Sequence, residues 1–253
     1  MPKQVNELFD LNDQCVLVTG ANGTIGAATA NRLAQAGATV IMHYRSKHNK
    51  IDELQTTHGA KSMRVQADLQ FPEQIVSMLN DISTAGFKLT AIVNNAADQM
   101  VSSLADLTFE QWQQTQQLNV DAVFYLTQQA CQQFPLTSVV NISSIEGLDG
   151  AAGHGHYATS KAALNMLTRS FALEYGKNGL RVNTISPGLM HRDGIEQAWP
   201  EGVQNWQSRA PLTRLGRGQD IADAVLFFVS DASSWISGTN LVVDGGMSCQ
   251  PRW

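Results

Sequence analysis

Tyr157 and Lys161 have the residue types and the spacing that proton transfer needs. They stand four positions apart, so on a helix their side chains lie one turn apart on the same face. An ammonium group beside a phenol stabilises the phenolate, and we therefore expect the pKa of Tyr157 to fall below its usual value of about 10. Such a tyrosine could donate or accept a proton near neutral pH. The alternative interpretation is a surface pair on an amphipathic helix, and the rest of the sequence favours the first.

The elements that would position this pair alternate between strand and helix along the chain. Short apolar runs such as residues 15–19 predict buried strands, and segments such as residues 24–36 and 156–175 predict helices. Short connections between them indicate a parallel sheet. We therefore predict one α/β domain over residues 1–253, a Rossmann-type doubly wound parallel sheet with helices on both faces. The other expected strands are residues 38–42, 62–66, 89–93, 138–142, 181–185 and 240–243, and the other expected helices are residues 51–58, 109–134, 220–229 and a helix that begins at Pro72.

Residues 188–217 form the longest stretch without a clear periodic pattern, and they include Trp199 and Trp206. A long irregular segment inside a compact domain commonly has a function, so we predict that this segment is a lid over the substrate site. The alternative is a surface insertion with a small apolar cluster of its own.

The overall composition excludes several classes of function. The chain of 253 residues has a formal net charge of −5, whereas non-specific nucleic-acid binding needs a basic surface. No apolar run approaches the roughly 18 residues that span a bilayer, and the first residues lack the apolar core of a secretory signal. Cys15, Cys131 and Cys249 are widely spaced, which predicts free thiols and a cytoplasmic location. His154 and His156 have no obvious third ligand, so we expect loop hydrogen bonds and no metal site.

A glycine-rich turn follows the first expected strand and leads into a helix. Gly20, Gly23 and Gly26 would let the backbone approach a pyrophosphate, and the helix N-terminus favours the anion. The residues that end the second strand decide the cofactor, because an acidic residue binds the ribose of NAD and a basic residue accepts the 2′-phosphate of NADP. Residues 43–47 read His-Tyr-Arg-Ser-Lys without a carboxylate, which favours NADP(H). The alternative is a solvated basic turn, and use of NAD(H) stays open.

In their order and spacing, the motifs of this chain resemble those of the classical short-chain dehydrogenase/reductase family over residues 16–246. The residues that carry the resemblance are the glycine-rich turn at 19–26, Asp68, the Asn-Asn-Ala-Ala run at 94–97, Asn119, Ser144, Tyr157, Lys161, Pro187, Gly188 and the Asp-Gly-Gly run at 244–246.

The resemblance implies a role for each of these positions. Tyr157 would be the general acid or base, and Ser144 would hydrogen-bond the substrate carbonyl oxygen. Lys161 would bind the nicotinamide ribose and lower the Tyr157 pKa, and Asn119 would hold a water in a proton relay. The cofactor-binding residues that the resemblance and the turns above imply are Gly20, Asn22, Gly23, Thr24, Ile25, Tyr44, Arg45, Ser46, Asp68, Leu69, Asn95, Ala96, Ala97, Tyr157, Lys161, Pro187, Gly188 and Met190.

Three parts of the chain depart from the family pattern. Thr24 stands where the family turn usually has its middle glycine, and Gly23 occupies a position that is often basic in NADPH-using members. Ala97 replaces the last glycine of the Asn-Asn-Ala-Gly motif. Arg192 stands where a threonine often contacts the carboxamide, so we assign it to the substrate or the lid. The glycine at position 23 argues against the NADP(H) preference, and the basic turn at residues 43–47 argues for it.

The leading hypothesis is an NADPH-dependent reductase of a small ketone or aldehyde. An NAD-dependent dehydrogenase of a polyol, sugar or cyclic alcohol would use the same residues in reverse, and a non-catalytic dinucleotide-binding scaffold is a third hypothesis. Residues 43–46 also resemble the corresponding turn of pteridine reductases, and the whole chain is broadly similar to beta-ketoacyl carrier-protein reductases. The candidate substrate residues are Ser144, Glu146, His154, Arg192 and Trp199.

The resemblance also implies an assembly. The family is commonly tetrameric, through long helices that correspond to residues 109–134 and 157–175. We therefore expect a homotetramer that acts on a small molecule and binds neither nucleic acid nor membrane.

Overall fold

The structure of the protein is a computed structural model that describes residues 4–46 and 62–249. Its strands are β1 (Cys15–Val18), β2 (Thr39–Tyr44), β3 (Ser62–Gln66), β4 (Ala91–Asn94), β5 (Ser138–Ile142), β6 (Arg181–Pro187) and β7 (Asn240–Val243). Its helices are α1 (Thr24–Gln35), α2 (Pro72–Thr84), α3 (Phe109–Gln116), α4 (Ala122–Gln133), α5 (Gly155–Tyr175), α6 (Ile195–Ala198), α7 (Pro200–Arg209) and α8 (Gly218–Val229).

The strands form a single parallel sheet in the order β3-β2-β1-β4-β5-β6-β7. Alternate residues of each strand face opposite sides. Along β1, Val16 and Val18 join a core with residues of α1 and α8, whereas Leu17 joins a second core with residues of α2, α4 and α5. The sheet is therefore covered by helices on both faces, and the predicted doubly wound fold is confirmed.

The strand order reverses between β1 and β4, because the chain first builds outward from β1 to β3 and then returns to build β4 to β7. The turns that leave the carboxyl ends of β1 and β4 therefore diverge to opposite sides of the sheet and leave a crevice between them. In open α/β sheets, this is the position at which ligands bind.

Two sequence predictions need correction. Residues 188–217 are not irregular, because α6 and α7 occupy part of the segment and pack around a small cluster of Ile195, Val203 and Leu215. The predicted helix 109–134 contains a π-helical turn at Gln117–Asp121, which separates α3 from α4. A π-turn keeps the apolar period of an α-helix on either side, so the sequence pattern does not reveal it.

The predicted helix at residues 51–58 lies outside the described residues. Across the described parts of the chain, every helix is too short or too polar to cross a bilayer.

Candidate active site

A cleft of about 840 Å³ opens at the carboxyl ends of β1, β2 and β4. Most of the predicted cofactor residues line it, namely Gly20, Asn22, Gly23, Thr24, Ile25, Tyr44, Arg45, Ser46, Asp68, Leu69, Asn95, Ala96, Ala97 and Met190. Pro187 ends β6 and Gly188 follows it, both outside this lining, and Tyr157 and Lys161 lie deeper in the protein. Lining residues that sequence reasoning did not assign to the cofactor include His43, Gln70, Asp98, Met100, Gln114, Leu118 and His191.

The glycine-rich turn presents backbone donors to this cleft. Helix α1 begins after Gly23, and no side chain caps its first turn, so the N–H groups of that turn are available to an anion. A side chain at Gly26 would collide with the Gly20 carbonyl, which explains why the turn can close so tightly. The Oδ1 atom of Asn22 is buried without a hydrogen-bond partner and adds an unused acceptor. These groups fit the pyrophosphate and ribose of a dinucleotide.

His43 fastens the glycine-rich turn to the sheet. Its Nδ1 accepts the backbone N–H of Gly20 at 3.1 Å, and its Nε2 lies 3.0 Å from the carbonyl oxygen of Ala67. Because a carbonyl can only accept, Nε2 carries the proton and the ring is neutral. Burial lowers the pKa of His43 to about 4, partly offset by the Ala67 hydrogen bond and by Asp68. The sequence singled out this residue only as part of a basic turn, and its buried position could not be foreseen.

The turns after β1 and β4 are held together by a second set of hydrogen bonds. Thr19 Oγ1 accepts the backbone N–H groups of Asn95 and Ala96 at 2.9 and 3.0 Å. Asn95 Nδ2 donates to the carbonyl oxygens of Thr19 and Gly20 at 2.9 and 3.1 Å. The two walls of the cleft are therefore fixed relative to each other.

Basic and polar groups occupy the end of the cleft at β2. Arg45 and Ser46 are exposed and line it, and the Ser46 carbonyl accepts a hydrogen bond from Asn22 Nδ2 at 3.3 Å. Asp68 follows β3, where its carboxylate accepts the Gln70 N–H at 3.1 Å. Lys47, the last residue of the basic turn, lies outside the described residues.

The structure brings Ser144, Tyr157 and Lys161 together beside the cleft, with side chains that are 8%, 6% and 2% exposed. Ser144 follows β5, and Tyr157 and Lys161 lie in the first turns of α5. The Ser144 hydroxyl is close enough to Tyr157 to lower the pKa of its phenol. Lys161 Nζ donates to the carbonyl oxygen of Ile142 at 2.8 Å and lies 5.5 Å from the centroid of the Tyr157 ring. The surface-pair interpretation is therefore wrong.

The expected direction of the Tyr157 pKa shift is also wrong. Burial raises its pKa above the usual value, the nearby Glu146 carboxylate raises it further, and the Ser144 hydrogen bond offsets only part of the rise. Burial also lowers the pKa of the Lys161 ammonium group, to about 7. Tyr157 is therefore a neutral phenol at pH 7, which suits it to donate a proton.

Asn119 lies in the π-turn and is fully buried. Its Nδ2 donates to the Asp98 carbonyl at 2.9 Å and to Ser160 Oγ at 3.0 Å, and its Oδ1 accepts the Asp98 N–H at 2.8 Å. The side chain thus ties the loop after β4 to α5. Its place in a proton relay stays a prediction.

The predicted substrate residues other than Ser144 lie in three different places: beside Tyr157, in the lining of the cleft, and outside that lining. Glu146 Oε2 lies 2.8 Å from His154 Nδ1, and the His154 ring meets the Tyr157 ring at a centroid distance of 5.9 Å. Arg192 is exposed and lines the cleft. Trp199 is 54% exposed, packs over Gly202 and lies outside the lining of the cleft. Trp206, which the sequence also placed near the pocket, packs over Gly188.

The His154 and His156 pair forms loop hydrogen bonds, as expected. His156 is buried, and its Nε2 lies 3.0 Å from the Met100 carbonyl oxygen, while His154 pairs with Glu146. The described residues contain no cluster of three or more histidine, cysteine or acidic side chains that could hold a metal ion.

Replacing His43 with asparagine should remove the part of the pH dependence of the free energy of unfolding that comes from protonation of His43. The folded protein holds His43 neutral with a pKa of about 4, whereas the unfolded chain takes up a proton near pH 6.5. The contribution of His43 to stability is therefore present above about pH 6.5 and is lost as the pH falls towards 4. Urea unfolding should show that the difference in the free energy of unfolding between wild type and His43→Asn shrinks by up to about 3 kcal/mol as the pH falls through that window.

The control is His191→Asn, because His191 also lines the cleft but its side chain is 49% exposed. The difference in the free energy of unfolding between wild type and His191→Asn should not shrink in this way. If the free energies of unfolding of wild type and His43→Asn differ by the same amount at pH 7 and at pH 4.5, the neutral, buried role of His43 is contradicted.

Comparison with known proteins gives the family. The profile of the family described as "Enoyl-(Acyl carrier protein) reductase" matches residues 20–248. The chain is 33% identical to a 3beta-hydroxysteroid dehydrogenase 1 of Eggerthella lenta, over 96% of this chain and 96% of that protein. It is 31% identical to the sorbose reductase SOU1 of Candida albicans, over 98% of this chain and 92% of that protein.

A solved structure agrees with these relatives. A short-chain type dehydrogenase/reductase from Mycobacterium marinum superposes with a TM-score of 0.90 at 31% identity, covering 98% of this chain and 100% of that one. These relatives are named dehydrogenases and reductases. This chain is accordingly an oxidoreductase that acts on CH–OH groups with a nicotinamide cofactor, and the scaffold hypothesis is set aside. The chain belongs to the classical short-chain dehydrogenase/reductase family.

Proposed function

We propose that this oxidoreductase is an NADP(H)-dependent reductase of small ketones or aldehydes. The observation that carries the proposal is the buried Tyr157, which is a neutral phenol next to the Ser144 hydroxyl. A phenol that is protonated at neutral pH has a proton to give, and the alkoxide that hydride transfer produces from a carbonyl is basic enough to take it.

Each side chain has a separate task in this reaction. The nicotinamide cofactor, when bound, supplies the hydride. Ser144 donates a hydrogen bond to the carbonyl oxygen and Tyr157 gives it a proton, so both oppose the negative charge that grows there. Lys161, with a pKa of about 7, can return a proton towards Tyr157 because its charged and neutral forms are similarly populated. Asn119 holds the Asp98 backbone and Ser160 and keeps this part of α5 in place.

The preference for NADP(H) rests on the end of β2. Arg45 and Ser46 line the cleft as donors, and no carboxylate occurs among residues 43–46. The 2′-phosphate of NADP would accept their hydrogen bonds. Gly23 leaves the glycine-rich turn without the basic side chain that would strengthen this preference, so an NAD-linked alcohol dehydrogenase is the second candidate. The relatives are named for a steroid and for sorbose and do not agree on a substrate.

We also propose that the protein is a homotetramer. Several apolar side chains on the long helices are exposed in a single chain, namely Phe109 (68%), Phe124 (42%), Met166 (58%) and Leu173 (85%). Exposed apolar patches commonly mark interfaces between subunits. Light scattering should give about four times the 27.5 kDa of one chain. A mass near that of a single chain would rule the assembly out.

A cytoplasmic location is proposed because Cys15, Cys131 and Cys249 are free thiols, which a reducing compartment preserves. Cell fractionation tests it, and recovery of the protein from an oxidising compartment would overturn it.

Replacing Tyr157 with phenylalanine should reduce kcat by about 100-fold to 10,000-fold, because the carbonyl oxygen loses its proton donor. The measurement is NADPH and NADH oxidation over a panel of ketones and aldehydes. The matched control is Tyr175→Phe, at the far end of the same helix, where the ring packs on Phe171 at 5.5 Å. Equal turnover in wild type and Tyr157→Phe would exclude Tyr157 as the acid.

Replacing Arg45 with aspartate should lower the ratio of kcat/KM for NADPH to that for NADH by more than about tenfold. The change removes a donor to the 2′-phosphate and adds a carboxylate that repels it. Lys88→Asp is the control, since Lys88 is exposed and lies outside the cleft lining. An unchanged ratio in Arg45→Asp would remove the basis for the NADP(H) preference.

A further inference from the structure

One charged group beside Tyr157, the Glu146 carboxylate, has no role in the proposed proton transfer. Glu146 lies two positions after Ser144, in a short 3₁₀ turn (Ile145–Gly147), and its carboxylate acts on the Tyr157 phenol through space. Neither hydride transfer nor protonation of the substrate needs a carboxylate at this point. A negative charge next to the site where an oxyanion develops is unfavourable for the chemistry itself, so its presence calls for another role.

The backbone fixes Glu146 in this position. At Gly147, a Cβ atom would lie 2.8 Å from the backbone carbonyl carbon of Lys161 and 3.0 Å from its Cβ, so the 3₁₀ turn sits directly on α5. The Gly147 carbonyl also accepts a hydrogen bond from Asn165 Nδ2 at 3.4 Å. The turn that carries Glu146 therefore cannot withdraw from the catalytic residues without disturbing α5.

His154 orients the carboxylate. Its Nδ1 lies 2.8 Å from Glu146 Oε2, and its ring packs edge-on against Tyr157. Among the described residues, no hydrogen bond reaches Glu146 Oε1. The two side chains are 18% and 22% exposed, so the pair is partly open to a ligand. One carboxylate oxygen is thus held in place, and the other is available to accept a hydrogen bond.

We propose that Glu146, oriented by His154, makes the enzyme select uncharged hydroxyketones and reject ketones that carry a carboxylate next to the carbonyl. This inference rests on the proposed reductase function.

The selection follows from where the substrate must lie. A carbonyl oxygen bound by Ser144 and Tyr157 brings its neighbouring carbon atoms close to Glu146, because Glu146 lies two residues after Ser144 and its partner His154 packs on the Tyr157 ring. A hydroxyl on such a carbon would donate a charge-assisted hydrogen bond to Glu146 Oε1. A carboxylate in the same place would meet a like charge at a site of low dielectric constant and would leave Oε1 without a donor. Hydrogen bonds to a substrate hydroxyl discriminate more strongly than apolar contacts.

Arg192 supplies the opposing hypothesis. It is exposed in the lining of the cleft and could attract an anionic substrate. Its position in the lining of the cleft sets it apart from the Glu146 and His154 pair, which lies outside that lining, so we expect the effect of Glu146 to dominate next to the carbonyl. The experiment distinguishes the two.

The test compares three ketones of nearly equal size that differ at one carbon: hydroxyacetone, butanone and pyruvate. Steady-state rates with NADPH and with NADH are measured for wild type, Glu146→Gln, Glu146→Leu and the control Glu110→Gln, an exposed glutamate in the first turn of α3. The assay is run at about pH 8. Binding of NADPH alone, followed by fluorescence, serves as a readout of correct folding.

In wild type, kcat/KM should fall in the order hydroxyacetone, butanone, pyruvate. Glu146→Gln removes the charge and keeps an oxygen acceptor, so it should raise the pyruvate to hydroxyacetone ratio at least about tenfold. Glu146→Leu removes the acceptor as well and should bring the hydroxyacetone to butanone ratio down towards one. Glu110→Gln should change neither ratio, and NADPH binding should be the same in all four proteins.

A wild type that prefers pyruvate, or ratios that Glu146→Gln leaves unchanged while NADPH binding is intact, would overturn this inference and leave the reductase function standing. Absence of turnover on all three ketones and on a wide panel of other ketones and aldehydes would overturn the proposed function and this inference together.

Discussion

The hydrogen bonds between Thr19 and Asn95 join the two halves of the sheet at the point where the strand order reverses. Parallel strands on their own leave the turns at this point free to separate, because each turn leads to a helix on a different face. Thr19 and Asn95 replace that freedom with paired side-chain and backbone hydrogen bonds, which are costly to break once buried. The cleft, the glycine-rich turn and the start of the loop that Asn119 holds all take their positions from this junction.

The candidate active site depends on burying groups that water would otherwise stabilise. Ser144, Tyr157 and Lys161 are all nearly inaccessible. Ser144 Oγ accepts the Glu146 N–H at 3.1 Å and Lys161 Nζ donates to the Ile142 carbonyl oxygen at 2.8 Å, which compensates for part of the lost hydration. Burial has opposite effects on the two titrating residues: it raises the pKa of the Tyr157 phenol and lowers the pKa of the Lys161 ammonium group. Packing is therefore the largest influence on both pKa values.

The sequence predicted the features that depend on local residue patterns, but it did not predict the features that depend on how deeply a residue is buried. The strands Ser62–Gln66, Ser138–Ile142 and Asn240–Val243 were predicted to the residue, because apolar runs and turn residues mark their ends. The helices inside residues 188–217 were missed, since α7 is mostly polar and its apolar contacts are few. The Tyr157 pKa was predicted with the wrong sign because spacing reveals a neighbouring charge and says nothing about depth. His43 was missed as a structural residue for the same reason: nothing in its flanking residues shows that it faces inward.

Lys161 makes the folding reaction itself release a proton. In the unfolded chain a lysine stays charged up to about pH 10.4, whereas the folded protein holds Lys161 with a pKa of about 7. Between these two values, folding must expel a proton to solvent, and the folded state becomes more favoured as the solution becomes more alkaline. The heat of folding near pH 8 will therefore include the ionisation enthalpy of whatever buffer takes up that proton. The same buried lysine thereby connects the conformational equilibrium of the whole domain to the hydrogen-ion concentration around it.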